Sequence, residues 1–227
     1  MRIFDVIFSL IALFFLSPIL IIVCLILLCT GEHKIFYFQD RIGLNGNKFK
    51  VFKFVTMLEN SPNIGTGTIT GKNDPRILPV GRVLRKTKIN ELPQLANVLL
   101  GDMSLIGPRP HAARDLEGVS NDLLQEIMRC KPGLSGVGSI FFRNEEEILQ
   151  TFDDPRPFYD SVVAPFKAEL ELWYIKNKSI RLYFVLIILT CTSVIFGKSH
   201  NQFIRFADFP SLPEELEPYF SDLSRQK

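Results

Sequence analysis

From residue 6 to residue 31 the chain carries no charged side chain, and Val6 to Cys29 is almost wholly apolar. Coiled into a helix, such a run reaches across a hydrocarbon core about 30 Å thick. It is too long for the apolar region of a cleaved leader. Gly31-Glu32-His33-Lys34 follows where a small-x-small cleavage site would be needed. Ser17-Pro18 sits at the centre of the run. Proline there removes one backbone hydrogen bond and clashes with the preceding turn, so a helix in lipid kinks, with Ser17 placed to help satisfy the freed carbonyls. A kinked helix either crosses the bilayer or turns back within it, and the residues alone leave both geometries open. Lys34, Arg41, Lys48, Lys50 and Lys53 follow the run and set that side in the cytoplasm. A second apolar run, Leu182 to Gly197, has 16 uncharged residues between Arg181 and Lys198. It is short for a span and suits either a helix lying on a membrane surface or a buried core helix.

A chain of 227 residues allows one domain plus an accessory, or two small domains. Its 26 basic and 24 acidic residues nearly cancel, which excludes a nucleic-acid binder working through net charge. With 47% hydrophobic residues, wholesale disorder is also excluded. Cys24, Cys29, Cys130 and Cys191 form no CxxC and pair with no nearby His, so no zinc site is expected and the thiols read as reduced. His33, His111 and His200 are scattered. Between the apolar runs, Ile35–Gln39 and Lys48–Phe54 read as short strands, with Asn45-Gly46 as a hairpin turn signal. Residues 59 to 79 read as a loop, while Leu116, Val119, Leu123 and Ile127 fall on one helical stripe. Phe158 to Lys176 is helical in character apart from Pro165, and the Pro-containing tail from Ser199 reads as extended or loosely docked. The expected class is α+β, mainly helical. Its expected parts are a membrane-anchoring helix (1–31), a soluble domain with a small β-hairpin (32–180), an apolar membrane-associated helix (181–198) and a tail (199–227).

Residues 81 to 110 carry the chemistry. Arg82, Arg85, Lys86 and Lys88 place four cations within seven residues, and Arg82 and Arg85, three apart, share a helix face. They lead into a helix start at which Asn90 is a good N-cap and Pro93 is tolerated in the first turn. Free N–H groups, a positive dipole end and clustered arginines together suit an anion. Glu91 in that turn is placed to hold a divalent cation; Mg²⁺ takes one or two carboxylates and completes its shell with phosphate oxygens. Pro108-Arg109-Pro110 is stiff on both flanks and presents a guanidinium fork matched to phosphate. A solvated basic helix face and an ordinary turn with a structural arginine are the plainer alternatives. Beside a membrane anchor, these features suggest a lipid-linked phosphate or a nucleotide-activated donor.

The pattern resembles the bacterial sugar transferases, monotopic phosphoglycosyl transferases that begin polysaccharide or glycoconjugate assembly on a polyprenol carrier. The resemblance covers roughly residues 1 to 197. It rests on Ser17-Pro18, Phe38-Gln39-Asp40-Arg41-Ile42-Gly43, Lys53-Phe54 with Thr56-Met57, and Asn73-Asp74-Pro75-Arg76. It continues through Glu91-Leu92-Pro93-Gln94-Leu95, Asn97-Val98, Gly101-Asp102-Met103-Ser104 to Pro110, and Lys131-Pro132-Gly133. It implies a re-entrant N-terminal helix, both ends cytoplasmic, at the cytoplasmic face of a bacterial inner membrane, and makes a homodimer plausible. It also implies a ping-pong reaction with Mg²⁺. A carboxylate nucleophile takes the phosphosugar from a nucleoside-diphosphate sugar, releases the nucleoside monophosphate, and passes the phosphosugar to polyprenol phosphate. The catalytic positions carried over are Asn90 and Glu91, with Glu91 also at the metal; Lys53, Arg82, Arg85 and Arg109 are the expected phosphate- or substrate-binding residues.

The chain departs from that pattern where the family has an Asp-Glu pair, because residue 90 is Asn. An amide has no negative charge and is a very weak nucleophile at phosphorus. Val55 stands where the family usually has Arg, and Gly138 to Asn144 replaces a Gln-x-Asn-Gly type stretch. Three readings follow: a transferase on this scaffold, a direct glycosyltransferase that releases the nucleoside diphosphate, and a non-catalytic relative that binds ligand or partner.

Overall fold

The structure, a computed structural model, describes residues 1–61, 74–110, 121–196, 206 and 208–220. Most of the expected 59–79 loop, together with Leu116, Val119, His111 and His200, lies outside the described residues. The protein is mostly helical with a small antiparallel hairpin and forms two compact units, Met1–Arg41 with Lys48–Leu105, and Ile42–Asn47 with Ile106–Lys227. These boundaries follow packing, whereas the division expected from sequence follows hydropathy.

In the first unit the apolar run forms one helix, α1 (Arg2–Cys29), long and apolar enough to cross a membrane, with a mean hydropathy of 3.2 over its most apolar 18 residues. The helix continues through Pro18. Ser17 Oγ donates to Phe14 O at 2.7 Å, the carbonyl four residues before the proline that has no N–H to offer it. Both ends of α1 are held by this unit. Asp5, 3% exposed, accepts from Ser104 Oγ at 2.9 Å and from Leu105 N–H at 3.0 Å. Arg2 donates to Val98 O and, at 2.7 Å, to Leu99 O. At the far end Val23 and Leu27 are buried with Phe54 and Leu84, flanked by Leu20, Cys24, Ile35, Val80 and Ile89. The residues between are mainly exposed and apolar, Phe14 and Phe15 most of all.

β1 (Phe36–Ile42) and β2 (Lys48–Phe54) form the expected hairpin, with β1 reaching three residues beyond the expected strand. Its turn has the conformation that Asn-Gly favours: Asn45 and Gly46 have φ of 56° and 78°, and Asn47 N–H closes onto Leu44 O at 3.2 Å. Alternation puts Phe36 and Phe38 on one face, against Phe54 and Phe52 of β2. Gln39 and Arg41 share the opposite face. α2 (Pro79–Lys86) follows, with proline at its start, and then α3 (Gln94–Leu100). Asn97 of α3 is fully buried and takes the place of a third strand. Its Oδ1 accepts from Phe52 N–H at 3.0 Å and its Nδ2 donates to Lys50 O at 2.7 Å, which closes the free edge of β2.

In the second unit the chain leaves β3 (Ser104–Ile106) and Gly107 N–H donates to Ser135 O at 2.9 Å, so the strand pairs with β4 (Gly133–Ser135). α4 (Asn121–Met128), which carries Ile127 of the expected stripe, α5 (Val137–Phe141) and α6 (Glu145–Leu149) are short. α7 (Pro155–Phe158), a π-helical turn at Tyr159–Val163 and α8 (Ala164–Lys176) run on without a break. Pro165 was expected to interrupt this helix; the widened turn just before it absorbs the lost hydrogen bond. α9 (Ile180–Phe196) combines both expected characters. Leu182, Tyr183, Leu186, Leu189 and Ser193 are buried, while Ile188, Ile195 and Phe196 are exposed. The tail is not loosely docked over residues 209–220. Leu216 and Phe220 are buried, and the Phe220 ring lies 4.8 Å from Phe141. Apolar side chains set among the prolines supply the packing that the prolines themselves cannot.

Asn97→Ala would leave Phe52 N–H and Lys50 O without their side-chain partner. The expected cost is about 2–4 kcal/mol, read as a lowered unfolding midpoint in detergent.

Candidate functional site

The cationic segment lies on α2, whose Gly81 and Leu84 face inward while Arg82 is exposed and Arg85 half-buried. The shared helix of the two arginines is as expected. The turn after it is not. Lys88 adopts a left-handed conformation (φ 61°) and reverses the chain into a 3₁₀ turn, Ile89–Glu91, and α3 begins only after Pro93. Asn90 therefore does not cap a helix. It lies inside the 3₁₀ turn with its side chain buried, and its Oδ1 has no hydrogen-bond partner. A buried acceptor left unpaired costs about 1–3 kcal/mol. Such a group is common where a ligand, ion or water completes the site.

This 3₁₀ turn packs against both α2 and β2. Lys53 projects from β2, where its Nζ donates to Gln39 Oε1 at 3.3 Å; Arg41 Nη2 donates to the same oxygen at 2.8 Å. One amide oxygen thus gathers two cations. Gln39 and Arg41 belong to the Phe38–Gly43 motif, but the strand sequence does not mark them as site residues, because it does not reveal which cross-strand side chains meet. The first unit therefore contains Lys53, Arg82, Arg85, Asn90 and Glu91 on neighbouring elements. Arg109 belongs to the second unit. It is exposed between a buried Pro108 and a half-buried Pro110, and lines a small apolar cleft with Ile42, Leu124 and Ile127. Glu171, also in the second unit, is a buried acid that the sequence did not single out. Its only signal is a carboxylate between Leu170 and the aromatic pair Trp173-Tyr174.

Behind the cations lies a buried ion pair. Arg76 grips Asp74 through Nε to Oδ1 (2.9 Å) and Nη2 to Oδ2 (2.6 Å), with both side chains almost fully buried. Arg76 Nη1 also donates to Ser61 O at 3.1 Å. Leu58 N–H donates to Arg76 O, and Leu78 N–H to Thr56 O. The pair thus fixes the strand-like crossing that feeds α2. Hydrogen bonding to Arg76 holds the Asp74 carboxyl below its ordinary range against the opposing cost of burial, with smaller help from the Arg76 and Arg85 charges.

Among the described residues no group of three or more His, Cys, Asp or Glu side chains could by itself hold a metal ion. The unpaired Asn90 Oδ1 and the adjacent Glu91 still fit a Mg²⁺ whose remaining ligands are phosphate oxygens and water. The donor set is one carboxylate and one neutral amide, weaker by one charge than two carboxylates.

The chain belongs to the bacterial sugar transferase family, whose profile matches residues 1–197. It is 35% identical over 204 residues to the UDP-glucose:undecaprenyl-phosphate glucose-1-phosphate transferase of Klebsiella pneumoniae, a match covering 87% of this chain and 40% of the relative. It is 35% identical over 190 residues to the undecaprenyl-phosphate galactose phosphotransferase of Salmonella typhimurium, covering 78% and 36%. It is 37% identical over 158 residues to the exopolysaccharide production protein ExoY of Sinorhizobium fredii, covering 63% and 70%. The chain thus spans well under half the length of the first two relatives.

Removing one partner of the Asp74–Arg76 pair should cost about 3–5 kcal/mol, so Asp74→Ala and Arg76→Ala should both unfold far more easily than wild type. Because the folded-state pKa of Asp74 is depressed, its stabilisation is complete above the unfolded carboxylate range and is lost as pH falls through the lower folded value. Acid unfolding of Asp74→Asn should lose that contribution to the slope on the acid side.

Proposed function

We propose that the chain is built on the scaffold of a membrane-associated transferase that moves a sugar phosphate from a UDP-sugar to undecaprenyl phosphate, with Asn90 in place of the nucleophilic carboxylate. The observation carrying this reading is the packing of Lys53, Arg82, Arg85, Asn90 and Glu91 on neighbouring elements of one compact unit. The relatives named above supply the substrate classes. Diphosphate carries the charge that clustered guanidinium and ammonium groups recognise. Arg85 and Arg82 take the phosphates in the first unit, where Gln39 also holds Lys53; Arg109, in the second unit, is a phosphate-binding residue on the resemblance alone. Asn90 and Glu91 would hold Mg²⁺, which neutralises phosphate charge when bound.

The same reading has α1 re-entrant at the cytoplasmic face of the inner membrane. Support comes from the grip at both its ends by one unit, Arg2 and Asp5 at the start and Val23 and Leu27 at the finish. A helix crossing a bilayer sends its ends to opposite sides. The exposed apolar residues of its middle and the outer face of α9 are surfaces that lipid would cover.

Residue 90 decides the chemistry. Its amide does not attack phosphorus, so the covalent step needs a carboxylate there. The amide favours one second reading, ligand binding without turnover. Asn90→Asp is expected to raise UMP release from UDP-glucose or UDP-galactose, with undecaprenyl phosphate present, by about two orders of magnitude or more. UDP release in place of UMP would identify direct sugar transfer, and no release from either form would leave the binding reading. Arg85→Ala and Arg109→Ala should each weaken UDP-sugar affinity by about tenfold, the loss of a charge-assisted contact, measured by calorimetry in nanodiscs.

A further inference from the structure

α8 carries Glu171 in a row of buried residues, Ala168, Leu170, Trp173 and Tyr174. It is 2% exposed. Its carboxyl group accepts from the main-chain N–H groups of Arg109 and Gly138. Gly138 is in the first turn of α5 and comes so close that a Cβ there would stand 2.8 Å from Oε1. Oε2 is buried with no hydrogen-bond partner. Three residues further along the same helix, Tyr174 donates its hydroxyl to Ile106 O at 3.2 Å. Two side chains of α8 therefore hold the stretch from Ile106 to Arg109 by its backbone. An arginine placed merely as surface charge has no need of a buried acid behind its own main chain.

We propose that Glu171 is a positioning residue for Arg109: its buried carboxyl group clamps the Pro108–Arg109–Pro110 turn to the first turn of α5, so that the Arg109 guanidinium is presented to phosphate from a fixed backbone. This rests on the reading above only for the identity of the phosphate ligand. Proline on both sides restricts the turn, and the clamp removes the freedom that remains. Less ordering is then required when the ligand binds.

The clamp is proton-linked. Burial pushes the Glu171 carboxyl up to about 8, against the opposing effects of the Arg109 and Gly138 N–H groups and the Lys167 and Arg109 charges. Those are the groups that face it: Arg109 from the turn, Gly138 from α5, and Lys167 one helical turn back. Lys167 is itself paired with Glu145 and lies 5.2 Å and 5.4 Å from the Phe142 and Tyr159 ring centroids. An acid whose folded pKa is raised keeps its proton in the closed state and loses it on opening. Opening of the clamp therefore becomes easier as pH rises from the unfolded carboxylate range to about 8, and levels off above it.

The test is amide hydrogen exchange of the full chain in nanodiscs between pH 5 and 9, corrected for intrinsic rates, in peptides covering residues 106–110 and 136–140. Wild-type protection should fall by up to about tenfold per pH unit, the limit for release of one proton, and flatten above pH 8. Glu171→Gln keeps an acceptor oxygen and should abolish that slope. Glu171→Leu should lower protection in both peptides by about tenfold or more, the loss of hydrogen bonds without replacement, while peptides of α1 keep theirs. It should also weaken UDP-glucose binding in wild-type background yet cost nothing further in an Arg109→Ala background, which a general packing defect would not do. A wild-type slope retained in Glu171→Gln, or an additive loss in the double variant, overturns the proposal. If Glu171→Leu does not fold, the Glu171→Gln slope decides. If wild type binds no UDP-glucose, the donor reading fails while the exchange data still decide the clamp.

Discussion

The protein depends on the way one compact unit holds both ends of its long apolar helix. A helix with so little of its surface buried would, left alone, be oriented by lipid only. Here Asp5 and Arg2 reach the backbone around Val98 to Leu105, and Val23 and Leu27 enter the core formed with Phe54 and Leu84. The first contact is polar and directional; the second is apolar and tolerant. Together they set where the helix lies relative to the hairpin and to α2, and so how far the cationic segment stands from the apolar surface. The polar contact is the more exacting, because a carboxylate that is almost fully buried is tolerated only with its acceptor oxygens occupied.

The same economy of buried polar groups runs through the first unit. Asn97 replaces a strand at the edge of β2, Arg76 and Asp74 neutralise each other beneath α2, and Gln39 gathers Lys53 and Arg41. Each of these joins segments far apart in the chain or fixes a crossing that feeds the site. Asn90 breaks the pattern, with a buried oxygen left unpaired in the turn that packs against α2 and β2. Glu171 does so in the second unit, where main-chain N–H groups face its carboxyl group and Oε2 is left unpaired.

Much of this was legible in the residues because its physics is local. Asn45-Gly46 specified a turn with positive φ at both positions, whatever surrounded it. Ser17 before Pro18 had a carbonyl to satisfy on its own helix. Arg82 and Arg85 share a face by spacing alone. The long 91–110 block pointed to the family, which the match over residues 1–197 bears out. What was missed depended on neighbours. Asn90 has the chemistry of an N-cap, but the left-handed Lys88 places it inside a 3₁₀ turn instead. The tail looked loose because of its prolines, yet Phe209 and Phe220 find aromatic partners on α5 and α8, and Leu216 is fully buried.

By itself the order of amino acids determined the apolar helix, the hairpin, the cationic spacing and the amide at position 90, since propensity, periodicity and side-chain chemistry act within a few residues. Only the tertiary structure decided that both ends of α1 meet the same unit, that Gln39 holds Lys53 and Arg41, and that Glu171 lies behind the main chain of Arg109. Burial and hydrogen-bond partnership are properties of segments brought together from distant parts of the chain, and no local pattern encodes which buried group will be satisfied and which will not.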